Sequence, residues 1–417
     1  VLSSRRDFWI KLTAAALVGA VIVAFMPLDR MAKAQNDFVH WYVGGLLFGT
    51  PDIHLQAPNH AKQAELLGST LDHSYFIRPT FYGFFLKPLT WLPYLTSYYL
   101  YQAYSLAALL FFLWVFGKRW PDIWVYAALS IPAISHMING QDVTSLLLFC
   151  TLSLLLSRRQ RDFAAGLVFA LCAIKFHLFI FVPLAIVAHR RWRLFAGAAV
   201  GEIILFLIGL AGGGWLVFLS LIALLRHPEN HPYPELMPNL RGMVYALNGG
   251  PNTPLLVAIY LLVGTTAAYL VWNARTYEKS FGYALMAGLV INFHAYIQDP
   301  MLLLLCCALL FDGEETLVFR SVMQLLLFPV VYLLLLWQPP FSGLYGLLII
   351  AAFAVALRDQ LQAAPTALRG FRTLIPCAAS LPSSFLPASL SPNPNPQRPF
   401  LSSQVANSTS KPTKQLG

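Results

Sequence analysis

Charge is scarce in this chain: Asp, Glu, Lys and Arg make up 11% of its 417 residues, against 58% hydrophobic residues and a mean hydropathy of +0.62. Soluble domains carry roughly a quarter charged residues, so an ordinary soluble globule is excluded and lipid is the main solvent. Alternation of apolar and polar residues is also missing. The apolar runs are unbroken blocks of Leu, Ala, Phe and Val, and in lipid such blocks satisfy their backbone as helices rather than as a barrel. No Gly-rich phosphate loop occurs, so the common cradle for a soluble nucleotide is absent. Cysteine is sparse, five in all. Cys150, Cys172, Cys306 and Cys307 fall inside apolar stretches without metal-ligand spacing and read as small buried hydrophobes. The net charge of +10 is distributed in short Lys/Arg clusters between apolar runs, not along one basic face. It therefore reports membrane topology and not nucleic-acid binding.

An uncharged run of about 18 residues can cross a bilayer, and such runs recur along almost the whole length. The run after Arg5 and Arg6 lacks a small-residue cleavage site and is expected to remain as the first helix, over 8–28. Cytoplasmic loops carry the excess of Lys and Arg, and one orientation puts every basic cluster on one face. From Arg5 and Arg6 inside, helix one exits to a long outer loop, and helix two (95–116) returns to Lys118 and Arg119. Helix three exits to Asn139-Gly140-Gln141-Asp142, and helix four returns to Arg158, Arg159 and Arg161. Arg190, Arg191 and Arg193 also belong inside, yet a single apolar stretch, 163–188, separates them from the previous cluster. Parity predicts a hairpin of two short or broken helices turning near Lys175 and His177; the alternative is one long helix with snorkelling arginines.

Helix seven then exits at Gly212 to Gly214, and the stretch from Arg226 to Gly250 lies outside. Helix eight returns to Arg275 and Lys279, helix nine exits to His294, Gln298 and Asp299, and helix ten returns to 312–315. Two more helices, 317–337 and 342–357, end at Arg358. The expectation is an all-α polytopic transmembrane bundle of about twelve helices with both ends cytoplasmic. Residues 1–363 form the membrane domain, and the Pro/Ser/Asn-rich segment 364–417 reads as a disordered cytoplasmic tail. The glycosylation-like triplet Asn407-Ser408-Thr409 is assigned no role, since a cytoplasmic tail is never modified there.

In this topology the isolated polar residues gather on the outer side. Asp37, flanked by Phe38, His40, Trp41 and Tyr42, sits where a lipid-borne substrate presents its head group; equally, Asn36 or Asp37 can cap an interfacial helix. Arg78 and Lys87 lie in an aromatic and basic stretch that suits a lipid phosphate or an interfacial belt. Lys175 interrupts a long apolar segment, where a lysine costs roughly 3 kcal/mol or more and commonly faces a cavity or a polar partner; snorkelling is the alternative. His294 and Asp299 have no recognised metal spacing and suit hydrogen bonds to a sugar or a structural role. Asn239 and Arg241, in Pro238-Asn239-Leu240-Arg241-Gly242, suit an acceptor or a phosphate oxygen, or simple loop capping.

At these residues the chain resembles glycosyltransferase family 87, in order and over roughly residues 8–358. An Asp-Phe pair soon after the first helix is matched by Asp37-Phe38, followed by Tyr42 and Gly44-Gly45. A Tyr-Pro-Pro-like stretch before Pro-Leu and Leu-Pro is matched by Arg78-Pro79-Thr80, Pro88-Leu89 and Leu92-Pro93, and an Asn-Gly-Gln turn by Asn139-Gly140-Gln141. A Gly-Leu helix leading to a lone lysine is Gly166-Leu167 and Lys175, with Pro183-Leu184 and Arg190-Arg191-Trp192-Arg193 beyond. Asn239-Leu240-Arg241-Gly242 matches a later Asn/Arg-Gly element. Two departures stand out: Tyr-Pro-Pro is reduced to Arg78-Pro79-Thr80, and Gln298-Asp299-Pro300 replaces a His-Asp pair.

The resemblance implies a C-type glycosyltransferase fold in a bacterial plasma membrane and a hexosyl transfer, mannosyl by the family's habit, from a polyprenyl-phosphate sugar to an extracytoplasmic hydroxyl of a lipid or glycan. It implies inversion with Asp37 as general base, and donor or acceptor contacts from Lys175, Arg241, Asn239, Arg78, Gln141, His294 and Asp299, with no cofactor or metal. The competing reading is a polytopic transporter or lipid flippase, which should show related halves and mid-helix ionisable residues. No convincing repeat relates the two halves, and the polar candidates cluster toward one face.

Overall fold

Unbroken apolar blocks leave helices as the way to pair the backbone in lipid, and among the described residues the computed structural model holds helices and no strand. The structure describes residues 5–70, 75–226, 233–313, 315–337 and 339–374. Residues Val1–Pro365 form one compact unit and Thr366–Gly417 a second, of which only the helical start is described.

The first helix, α1 (Arg5–Ala24), leads into the stretch expected to be a long loop. That stretch is instead largely helical: α2 (Leu28–Ala32), α3 (Phe38–Leu47), α4 (Gln56–Leu67), α5 (Thr80–Leu86) and a 3-10 turn at Lys87–Trp91. Next come α6 (Tyr94–Gly117), α7 (Ile123–Leu129), α8 (Ile131–Asn139), α9 (Val143–Arg158), α10 (Asp162–Ala170), a 3-10 segment (Leu171–Phe179), α11 (Val182–Ala188), α12 (Trp192–Ala211) and α13 (Gly214–Arg226). The second half holds α14 (Leu240–Asn248), α15 (Thr253–Asn273), α16 (Tyr277–Ile291), a 3-10 turn (Asp299–Leu302) running into α17 (Leu303–Leu310), α18 (Leu317–Leu326), α19 (Pro329–Leu336) and α20 (Gly343–Leu374).

Among the described residues, six helices are long and apolar enough to cross a membrane: α1, α6, the Asp162–Phe179 segment, α12, α15 and Gly343–Gln362 of α20. Two bent pairs, α8 with α9 at 115° and α18 with α19 at 58°, raise the number to eight if each is one span. The expected twelve spans do not emerge, because several apolar runs are broken. The 13 residues of α13 and the apolar piece Asp299–Leu310 rise only about 20 Å or less, short of a hydrocarbon core of about 30 Å. At the far end α20 continues through Leu374, beyond the expected start of the tail at Ala364; the rest of that segment, with Asn407, lies outside the described residues.

Between Asp162 and Arg191 the chain turns back on itself. Arg191 Nη1 lies 3.4 Å from Asp162 Oδ2, whereas one continuous helix would hold these residues about 44 Å apart at 1.5 Å per residue. The turn is made where Lys175 leaves helical geometry (φ −130°, ψ 57°). The hairpin predicted from charge parity is therefore present, and the single long helix is not. Its outgoing arm, α10, lies parallel to α12 with backbones in close approach: a Cβ at Gly197 would stand 2.0 Å from the Phe163 carbonyl oxygen, and one at Gly166 2.1 Å from that of Leu194.

Two groups of charges result. At one end Arg119 and Arg158 bond Glu278 (3.2 and 2.6 Å) and Lys279 bonds Asp312 (2.6 Å), close to the Asp162–Arg191 pair. At the other end lie Arg78, Asp142, Lys175 and Asp299. Helix α9 joins the ends, with Asp142 at its start and Arg158 at its finish, a separation of about 24 Å for 16 helical residues.

Candidate active site

The turn Asn139-Gly140-Gln141-Asp142 organises this second end. Ser130 caps α8, its Oγ accepting from the Ala133 N–H at 3.2 Å, and α8 stops at Gly140 in the left-handed region (φ +61°). A side chain at Gly140 would also collide with Phe38, whose Cβ would lie 2.9 Å away. The turn is held from both sides: Trp41 Nε1 donates to the Gly140 carbonyl (2.8 Å), Tyr101 Oη to that of Gln141 (2.9 Å) and Asn36 Nδ2 to that of Ile138 (2.8 Å). Gln141 is thereby presented to Asp37, and its Nε2 donates to Asp37 Oδ2 in a short hydrogen bond.

Asp37 stands at the N-cap of α3 but makes no side-chain capping bond. Asn36 makes it instead, its Oδ1 accepting from the Phe38 N–H at 3.2 Å. His40 Nε2 stands 3.8 Å from Asp37 Oδ1. The side chain keeps 37% of its surface open and lines a cavity, yet the protein around it disfavours the charged form. Burial raises its pKa from 3.8 to about 6, with the Gln141 hydrogen bond and the charges of Arg78 and Lys175 pulling the other way. Burial likewise lowers the His40 imidazole to about 3, so it is neutral beside Asp37.

Across the cavity four charges form one chain. Arg78 Nε donates to Asp142 Oδ2 at 2.6 Å, Lys175 Nζ stands 3.1 Å from Asp142 Oδ1, and the same ammonium donates to Asp299 Oδ1 at 2.6 Å. Asp299 Oδ2 accepts from the Tyr296 N–H at 2.9 Å. Asp142, Lys175 and Asp299 are each at most 2% exposed. Burying charges in this way is tolerable only when each is paired and hydrogen-bonded. Arg78 also lies over the Trp41 ring, 4.7 Å from its centroid, and spends Nε and one terminal nitrogen on Asp142.

Of the residues singled out in the sequence, Asp37, Arg78, Gln141, Lys175, His294 and Asp299 all line one cavity of about 320 Å³. Asn239 and Arg241 do not. Asn239 caps α14 through the Gly242 N–H (2.9 Å) and donates to Asn292, while Arg241 donates to the Phe293 carbonyl at 2.7 Å; both fasten α14 to the segment that carries His294. Asp299, expected either to contact a sugar or to serve a structural role, bonds Lys175 and lines the cavity. Lys175 in turn is no free cation, being held between two carboxylates. Asp142 was not singled out: directly before an apolar helix it reads as an N-cap, although its side chain makes no cap bond. His40, Trp41, Tyr75, Tyr233, Tyr296 and Gln298 complete much of the lining. The described residues contain no cluster of three or more His, Cys, Asp or Glu arranged to hold a metal ion.

A polytopic helical protein with an ionisable carboxylate and a chain of buried ion pairs around one hollow at the end of its bundle has the form of a membrane enzyme. The family model for glycosyltransferase family 87 matches residues 76–295, over half of the chain; the chain belongs to that family and is a membrane glycosyltransferase. The matched span includes Arg78, Gln141, Lys175 and His294 but neither Asp37 nor Asp299. No curated protein and no solved structure matches the chain.

Proposed function

We propose that the protein transfers a hexose, mannose in the first instance, from a polyprenyl-phosphate sugar to a hydroxyl of a lipid or glycan on the extracytoplasmic face of a bacterial plasma membrane, with a C-type glycosyltransferase architecture. The observation that carries the proposal is the convergence of Asp37 with Arg78 and Lys175 on one cavity. Transfer needs a base for the acceptor hydroxyl and positive charge for the departing phosphate, while the sugar ring passes through a cation-like state. Asp37, with a pKa of about 6, is ionised yet still basic near neutral pH, as a general base should be. Gln141 holds one of its oxygens and leaves the other for the acceptor. Attack from the side of Asp37, opposite the phosphate, inverts the anomeric centre. Arg78 meets the phosphate with its guanidinium group, and Lys175, balanced by Asp142 and Asp299, holds Asp142 in place beneath Arg78.

A lipid donor also needs an apolar path. Ile77, Arg78 and His294 line both the cavity and a narrow passage, and Pro79, Phe176, Leu221 and Leu225 of that passage also line an apolar groove of about 330 Å³ between α5, α12 and α13. The isoprenoid tail lies in that groove, with its phosphate at Arg78. The transporter reading is not favoured, because the chain belongs to a transferase family.

The test is incubation of the purified protein with polyprenyl-phosphate sugars that differ in the hexose or pentose, scoring free polyprenyl phosphate and glycosylated product. Release of neither product from any donor of this class refutes the donor assignment. Near-normal turnover by Asp37→Asn refutes the base.

A further inference from the structure

At the end of the bundle remote from the active site, a second polar cavity of about 310 Å³ lies between α6, α9, α12 and α16. Three guanidinium groups, from Arg119, Arg158 and Arg191, converge on it. Their counter-charges do not saturate them. Glu278 is shared by Arg119 (3.2 Å) and Arg158 (2.6 Å), and Asp312 is taken by Lys279 (2.6 Å). Arg191 bonds Ser157 Oγ (2.7 Å) and stands 3.4 Å from Asp162, but its Nε is buried with no hydrogen-bond partner. Next to the lining arginines in the chain, Lys118, Arg159, Arg161, Arg190 and Arg193 are exposed. Trp114 and Trp192, beside these basic residues in the chain, are more than half exposed, and Trp114 carries Lys118 over its ring at 4.0 Å.

Exposed tryptophan beside lysine and arginine at helix ends marks the membrane–water interface. A basic pocket between helices at that level on a cytoplasmic surface matches the phosphate of an anionic lipid, and guanidinium groups suit phosphate oxygens in particular. We propose that this cavity binds the phosphate head group of an anionic phospholipid of the surrounding leaflet. The bound phosphate takes the guanidinium groups of Arg191 and Arg119 that line the cavity, and it ties α6, α9, α12 and α16 together at the end opposite the transferase cavity. The inference does not depend on which donor or acceptor the active site uses.

The experiment compares thermal unfolding of the full-length protein in nanodiscs of phosphatidylcholine alone and in nanodiscs that also contain phosphatidylglycerol. The Arg119→Gln variant runs alongside, because Arg119 is 40% exposed and bonds only Glu278, so the fold survives its loss. Phosphatidylglycerol is expected to raise the midpoint by about 5 °C, with at least half of that shift lost in Arg119→Gln and in Arg191→Lys. Equal midpoints in the two lipids, or a full shift in both variants, overturns the proposal. If millimolar inorganic phosphate in pure phosphatidylcholine reproduces the shift, the site takes a soluble anion and the lipid assignment fails.

Discussion

Asp37 occupies the position from which a carboxylate normally caps a helix, but Asn36 supplies the bond to Phe38 and leaves Asp37 to Gln141 and the cavity. Asp37→Asn is expected to lower turnover by at least about 100-fold, the lower range for loss of a general base, while donor binding persists. Its stability effect has a definite sign. The folded-state pKa of about 6 lies above the unfolded value near 3.8, so stability is lost as pH rises through that interval and stays lost above it. The Asn variant should therefore melt no lower than the parent at pH 8, and its relative standing should worsen toward pH 4. In the parent, kcat/KM should climb tenfold per pH unit below about 6 and level off above it, as expected for one essential base; a flat profile from pH 5 to 7 would contradict this. Asp142 is the shared counter-ion of Arg78 and Lys175. Removing one partner of a buried ion pair costs about 3–5 kcal/mol, so Asp142→Ala should unfold at markedly lower denaturant. Lys175→Met should lose less, since Asp142 keeps Arg78 and Asp299 keeps the Tyr296 N–H.

At the scale of elements, the α8–α9 corner and the 162–191 hairpin set the site. Gly140→Ala forces a side chain into left-handed backbone, which costs about 1–2 kcal/mol, and drives it against Phe38. Because Gln141 is the next residue, activity should fall by more than stability does, which separate measurements of turnover and melting midpoint will resolve. The hairpin depends on the close approach of α10 and α12: Gly197→Leu sets a side chain against the Phe163 carbonyl and should lower both yield and melting midpoint, and Ala, whose Cβ already meets that carbonyl, should not rescue it. Charge parity alone predicted this hairpin, because each basic cluster must end on the same face whatever the details of packing. Of the helices α2 to α5, the interfacial one through Trp41 and Tyr42 is expected from the sequence and found as α3; α2, α4 and α5 were not legible in the same way. All four are five to twelve residues long, too short to form on propensity alone, and they exist because tertiary packing buries Phe38, Trp41, Phe76 and Tyr82 together.

At the scale of the molecule, the two charged ends should face opposite sides of a membrane. With the native Cys377 replaced by Ser, a cysteine at Lys62, which is exposed on α4, should react with an impermeant maleimide in intact cells, whereas one at Arg159 should react only after lysis; the reverse pattern inverts the proposed orientation. What the sequence determined by itself is the membrane environment, the all-helical class, the sorting of charges into two ends and six of the residues around the cavity. Composition and charge placement answer to the bilayer, which acts on every residue according to its polarity and needs no knowledge of neighbours. Tertiary structure alone decided which charges pair. Asp142, Lys175 and Asp299 lie far apart in the chain and become one network only when the α8–α9 corner, the hairpin tip and the turn after α16 meet, and the same meeting drew Asn239 and Arg241 into a supporting layer. Pair energies depend on distance and burial, and neither is written in the order of residues along a chain.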